Sequence, residues 1–143
     1  MSQILLDFPI KAPLRAVFQA ISTPAGLDQW WTLRSAGVGA FGAEYELGFG
    51  PEYDWRARVT RFEFHTQFEL ELTRAQEDWL GTRVGFSLLA DHDRTLVSFR
   101  HTGWSAETPH FRTSSCCWAL YLRILRRHLE FGESVPYEQR LDV

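Results

Sequence analysis

The stretch Val97-Ser98-Phe99-Arg100-His101-Thr102-Gly103-Trp104 decides how this chain folds. Val97, Phe99 and His101 face one way and Ser98, Arg100 and Thr102 the other, the period-two pattern of a half-buried strand. Thr108-Pro109 then offers a helix cap and first residue. Residues 111–131 repeat apolar side chains at helical spacing, and Gly132 follows as a terminator. Trp118, Tyr121, Leu122, Leu125 and Leu129 form the inward stripe of this helix, while Arg123, Arg126, Arg127 and His128 offset its dipole near the C-terminal end. A long helix laid on the concave face of an antiparallel sheet leaves space between the two. Aromatic residues facing that space favour a pocket for an apolar ligand.

The rest of the chain supplies the sheet. Ile4, Leu6, Phe8 and Ile10 alternate as a first strand. Pro13 suits the first turn of a short helix carrying Leu14, Val17, Phe18 and Ile21, and Thr23 caps a second one in which Leu27, Trp30 and Trp31 share a face. Glycines at 37, 39, 42, 48 and 50 punctuate two short strands at residues 33–38 and 43–49. Trp55, Ala57 and Val59, then Phe68, Leu70 and Leu72, then Val84, Phe86 and Leu88, mark three more. Asp91-His92-Asp93-Arg94 reads as a polar hairpin turn. The expected architecture is α+β over residues 1–143 as a single domain: a curved antiparallel sheet of about seven strands wrapped around a long C-terminal helix, with two short helices after strand 1. Arg56, Arg58, Glu69, Glu71, Arg83 and Arg100 fall on the outer, wet face, as cross-strand ion pairs of little net value.

Composition narrows the function classes. Hydrophobic content of 45% is ordinary, but aromatic content of 15%, with six Trp and eleven Phe, is high and fits both a dense core and a lined cavity. A net charge of −3 without a basic run argues against nucleic-acid binding. The apolar run from Cys116 to Leu122 stops at Arg123, so no membrane span is expected. Residues 1–10 lack the basic start and apolar run of a signal peptide, and adjacent Cys116 and Cys117 cannot build the usual disulfide framework. Cytoplasmic localisation is the simplest expectation.

Specific residues carry a family resemblance. Ile10-Lys11-Ala12-Pro13 with Val17-Phe18, then Leu27-Asp28-Gln29-Trp30-Trp31, resembles the opening of the START-related SRPBCC superfamily. Within it the chain is most similar to the heat-shock-protein ATPase activator homologue family, whose closing half is matched by residues 97–104 and by Cys117-Trp118-Ala119-Leu120-Tyr121-Leu122. The resemblance implies a helix-grip domain with a deep, largely apolar cavity between sheet and C-terminal helix. Relatives of this kind include lipid carriers, pollen-allergen-type ligand binders, polyketide cyclases and chaperone cofactors, so fold alone selects no activity. One departure is Cys117, where many relatives have Gly before the tryptophan; its bulk bears on cavity volume.

The candidate ligand-binding residues are Trp31, Trp55, Phe68, Phe86, Phe99, His101, Trp104, Trp118 and Tyr121. Each aromatic alone reads first as core, while the set together favours a pocket, and Trp31 either guards the cavity mouth or staples the short helix to the sheet. His101 shares the inward face, where an imidazole can orient a ligand carbonyl or exchange a proton. Its structural alternative is a histidine bonded to Tyr121 or to backbone. His110, Cys116 and Cys117 have no zinc-like spacing, no phosphate-cradling glycine loop is present, and neither metal nor cofactor is expected. The thiols are expected to be inert in a buried helix. The leading function is binding of a hydrophobic or amphipathic small molecule, lipid or polyketide-like. Alternatives are a cyclase- or dehydratase-like enzyme using His101 and Tyr121, and an interaction module resembling the chaperone activators, which lacks an appended partner-binding segment. Monomer and homodimer both stay open, because the tail from Val135 to Val143 can pack on its own domain or on a second subunit.

Overall fold

The chain enters as β1 (Ser2–Ile10), crosses the sheet face as α1 (Leu14–Ser22) and α2 (Pro24–Leu27), and then runs through six strands. These are β2 (Arg34–Ala36), β3 (Glu44–Gly48), β4 (Asp54–Glu63), β5 (Gln67–Arg74), β6 (Arg83–Asp91) and β7 (Arg94–Trp104), followed by α3 (Pro109–Phe131). The computed structural model describes residues 1–142; Val143, the end of the tail segment, lies outside the described residues. Every strand pairs antiparallel with its neighbours in the order β1-β7-β6-β5-β4-β3-β2, a meander closed by β1 against β7. The expected seven-stranded α+β helix-grip architecture is what forms. β2 and β3 are shorter than the glycine spacing suggests, and just past β2 a Cβ at Gly37 would stand 2.7 Å from the Tyr45 ring.

Local chemistry sets the helix ends. The Thr108 side chain accepts from the Phe111 backbone N–H at 3.2 Å, and Thr23 does the same for Gly26 at 3.0 Å. Gly132 closes α3 with φ of 68°, a left-handed conformation that costs glycine nothing. Among the described residues, no helix is long and apolar enough to cross a membrane.

The core lies between the concave sheet face and the three helices. Trp30, Trp104, Trp118, Tyr45 and Phe99 are its largest fully buried side chains. Each such side chain contributes roughly 1.5–3 kcal/mol on burial, so the aromatic excess mostly stabilises the fold. Trp30 enters without polar loss because its indole N–H donates to the Ala20 carbonyl at 2.9 Å.

The outer face departs from expectation at one row. Glu69 on β5, Gly85 on β6 and Arg100 on β7 lie side by side in register. The Arg100 side chain crosses the intervening strand and donates to Glu69 at 3.0 Å, passing so close to Gly85 that a Cβ there would stand 2.8 Å from the guanidinium. Glu69 is only 7% exposed and also accepts from Thr60. This pair is desolvated, so it does not belong with the weak surface pairs that Arg58 and Arg83 make with Glu71.

The tail folds back on its own domain. Buried Arg140 donates to the carbonyls of Asp28, Thr32 and Val135, and the Tyr137 hydroxyl donates to the Phe49 carbonyl at 3.0 Å. These bonds tie residues after α3 to the segment following α2.

Candidate functional site

The sheet interior beneath α3 is filled. Phe99, His101, Trp104 and Trp118 are each at most 1% exposed, and they line neither the inner gap nor the mouth cavity described below. Phe68 and Phe86 border an inner gap of about 10 Å³ together with Trp31. A gap of that size is marginal even for one water. The deep cavity implied by the resemblance is therefore occupied by the protein's own aromatic rings.

Space remains at the mouth, where a cavity of about 310 Å³ separates α3 from the open end of the sheet. Phe49, Tyr53 and Trp55 from the β3–β4 hairpin form one wall, with Trp31 behind them. His110, Thr113, Cys117 and Tyr121, spaced at helical intervals, present one face of α3 as the opposite wall. Trp79 forms the floor, and Tyr137 with Leu141 from the tail closes one side. The rings form a continuous set: Trp31 meets Phe49 edge-to-face at 5.4 Å, Phe49 meets Trp55 edge-to-face at 5.3 Å, and Trp55 meets Trp79 in a tilted contact at 5.0 Å. Three other hollows, of about 370, 480 and 550 Å³, are larger, but none shares a lining residue with the mouth cavity. They run beside α1 and the β4–β5 turn, between β1 and the end of α3, and along edge strand β2. The mouth cavity is distinguished by its lining, of which seven side chains are Trp, Tyr or Phe.

Of the nine sequence candidates, Trp31, Trp55 and Tyr121 line the mouth, and the other six are interior. Trp79 was not among them, because residues 75–82 show no apolar period. A lone tryptophan inside the polar run Gln76-Glu77-Asp78 was the available signal. Trp79 is 7% exposed, and its indole N–H donates to Ser114 Oγ at 3.2 Å, which locks the loop onto α3.

His101 is committed on both ring nitrogens. Trp118 Nε1 donates to Nδ1 at 3.0 Å, and Nε2 lies 2.8 Å from Thr82 Oγ1. The Thr82 hydroxyl donates to the Trp79 carbonyl at 2.6 Å, so it accepts from His101 and the imidazole carries its single proton on Nε2. Burial, aided by nearby His110, pushes the His101 pKa down to about 3. The partners are Trp118 and Thr82, where Tyr121 or backbone was expected, and no nitrogen is left to face a ligand.

Polar groups do reach the mouth. Burial, then neighbouring Tyr137, pushes Tyr121 up to about 12, so its hydroxyl stays protonated as a donor. Cys117 is half-buried and its thiol is pushed up, first by burial and then by Cys116. Cys116 is exposed, contrary to the expectation of two buried thiols, because successive helix residues point about 100° apart. Among the described residues no group of three metal-ligating side chains exists. His110 sits beside Asp78, with Nδ1 2.8 Å from Oδ1, and Thr108 donates to the other carboxylate oxygen at 2.9 Å.

Comparison with known proteins matches this architecture. The profile of the family described as "Activator of Hsp90 ATPase homolog 1-like protein" matches residues 11–130. No curated protein matches by sequence. The solution structure of the Aha1 dimer from Colwellia psychrerythraea superposes with a TM-score of 0.84 and 27% identity over 94% of this chain and 100% of that one. CalU16 from Micromonospora echinospora shares the fold at 16% identity and a TM-score of 0.74, over 98% of this chain and 83% of its own. DynU16, from the dynemicin biosynthetic locus, shares it at 18% and 0.76, over 94% of this chain and 49% of its own.

Proposed function

Because the chain belongs to the family of Activator of Hsp90 ATPase homolog 1-like proteins, we propose that it binds a compact, flat, apolar or amphipathic molecule in the mouth cavity. The carrying observation is the aromatic wall around about 310 Å³ of open space beside an otherwise filled interior. That volume sits at the lower end of small-molecule sites, roughly 300–1,000 Å³. It suits a molecule of one to a few fused rings. A long acyl chain would need the depth that Trp118 and Phe99 occupy, so the lipid expectation gives way to ring compounds of polyketide type. Two unpaired thiols fit a reducing cytoplasm.

The test is native mass spectrometry of freshly purified protein, followed by titration of planar ring compounds against tryptophan fluorescence. A retained mass, or saturable quenching that weakens about tenfold in Trp55→Ala, supports the reading. Unchanged fluorescence across such compounds, with a clean apo mass, overturns it.

The likeness to Aha1 along nearly the full chain favours a second reading, in which the protein dimerises and acts on a chaperone ATPase. Sedimentation alone and with an Hsp90-type chaperone, together with its ATPase rate, tests this. A monomer that leaves the rate unchanged removes it.

A further inference from the structure

His110 on the cavity wall is not used by an apolar ligand, and it pairs with Asp78, which does not itself line the cavity. Asp78 is a carboxylate with both oxygens engaged, by His110 and by Thr108. Burial raises its pKa, but the hydrogen bonds from His110 and Thr108, the nearby His110 charge and a backbone hydrogen bond together outweigh burial and hold it below the usual range. Nδ1–H of His110 therefore donates to Asp78, which leaves Nε2 as the only ring nitrogen able to offer a lone pair. Nε2 makes no hydrogen bond among the described residues, although the ring lines the cavity and its side chain is 30% exposed. The imidazole lies nearly parallel to Trp79 at 5.8 Å, which fixes its plane. A carboxylate orienting an imidazole whose far nitrogen is free is the arrangement of an oriented base.

We propose that His110, positioned by Asp78, accepts a proton from the occupant of the mouth cavity, which is a flat conjugated molecule bearing an acidic hydroxyl, a phenol or an enol. This rests on the cavity being the ligand site. In the transfer the ligand O–H bond breaks, its electron pair stays on oxygen, and the proton joins Nε2. The imidazolium is then balanced by Asp78 and lies against the face of Trp79. The other titratable groups around it are His101 on β7, with no free nitrogen, and Cys117, Tyr121, Tyr53 and Tyr137 on the cavity wall. No lysine, arginine, aspartate or glutamate lines the cavity among the described residues, so His110 is the one lining side chain able to carry positive charge, with Arg140 outside the lining against Tyr137.

The test compares 4-nitrophenol with 4-nitroanisole, which differ by one methyl group in place of the acidic proton. Binding is read by tryptophan quenching, and ionisation by the yellow phenolate band. The phenol is expected to bind about tenfold tighter than the ether, the scale of one charge-assisted hydrogen bond, and to show the phenolate band below the pH at which free phenol ionises. Both signatures should vanish in His110→Gln and weaken in Asp78→Asn, with thermal melts verifying folding. Equal binding of the two probes, or a phenolate band that persists in His110→Gln, overturns the role of His110 while the cavity reading stands. Binding of neither overturns both.

Discussion

The indole N–H of Trp118 on α3 donates to Nδ1 of His101 on β7 across 3.0 Å, in the interior of the grip. That bond joins helix to sheet with a polar contact inside an aromatic cluster. It also dictates the tautomer of His101, and through Thr82 it reaches the backbone of Trp79 under the cavity floor.

Two tryptophan substitutions should differ because of it. Trp118→Phe leaves Nδ1 of His101 as a buried acceptor without a donor, a cost of about 1–3 kcal/mol beyond lost packing. Trp104 is equally buried, but its indole N–H has no partner among the described residues, so Trp104→Phe sheds an unsatisfied donor. Urea unfolding should place Trp118→Phe at least ~1 kcal/mol below Trp104→Phe. Equal midpoints would contradict the bond's importance.

His101 should make stability acid-sensitive. Its folded pKa of about 3 lies below the ordinary 6.5, so the unfolded chain takes up the proton first as pH falls. The stabilisation is complete above 6.5 and is lost progressively between 6.5 and 3. The slope approaches ~1.4 kcal/mol per pH unit. His101→Gln can still accept from Trp118 and donate to Thr82 but carries no titrating proton. Denaturation at pH 6.5 and 4.5 should show wild type losing about 2 kcal/mol more than this variant.

The Glu69–Gly85–Arg100 row predicts unequal costs for two nearby glutamates. Glu69→Ala strands Arg100 in a mostly desolvated position and should cost about 2–3 kcal/mol. Glu71→Ala removes pairs to Arg58 and Arg83, both half exposed, and should cost under ~1 kcal/mol. Gly85→Ala should resemble Glu69→Ala, since a Cβ there displaces the guanidinium. Thermal melts of the three variants decide this; a stability for Gly85→Ala equal to wild type would show that Arg100 has another path.

Thiol labelling should report cavity occupancy. Exposed Cys116 should react first, while Cys117, half-buried and with a raised pKa, reacts slowly. A bound ring compound should slow Cys117 further without changing Cys116. Mass-resolved labelling in which both rates respond together would place the ligand elsewhere.

Much of this was legible in the chain itself. The alternation in residues 97–104, the Thr108-Pro109 start and the Gly132 stop are local signals. They name a strand and a helix because side-chain period and capping act over a few residues. His110 was visible too, but only as a failed metal ligand, since nothing adjacent announces Asp78 thirty-two residues earlier.

The α+β order, the inward faces of the strands and the aromatic character of the interior follow from near-neighbour periodicity and are readable along the chain. That Phe99, Trp104 and Trp118 fill the grip, and that Trp79 floors the cavity at the mouth, emerges only from packing. Packing alone also left His110, not His101, with a free nitrogen. Whether an aromatic ring fills a hollow or lines one depends on volumes contributed by distant segments. That balance exists only once those segments have packed.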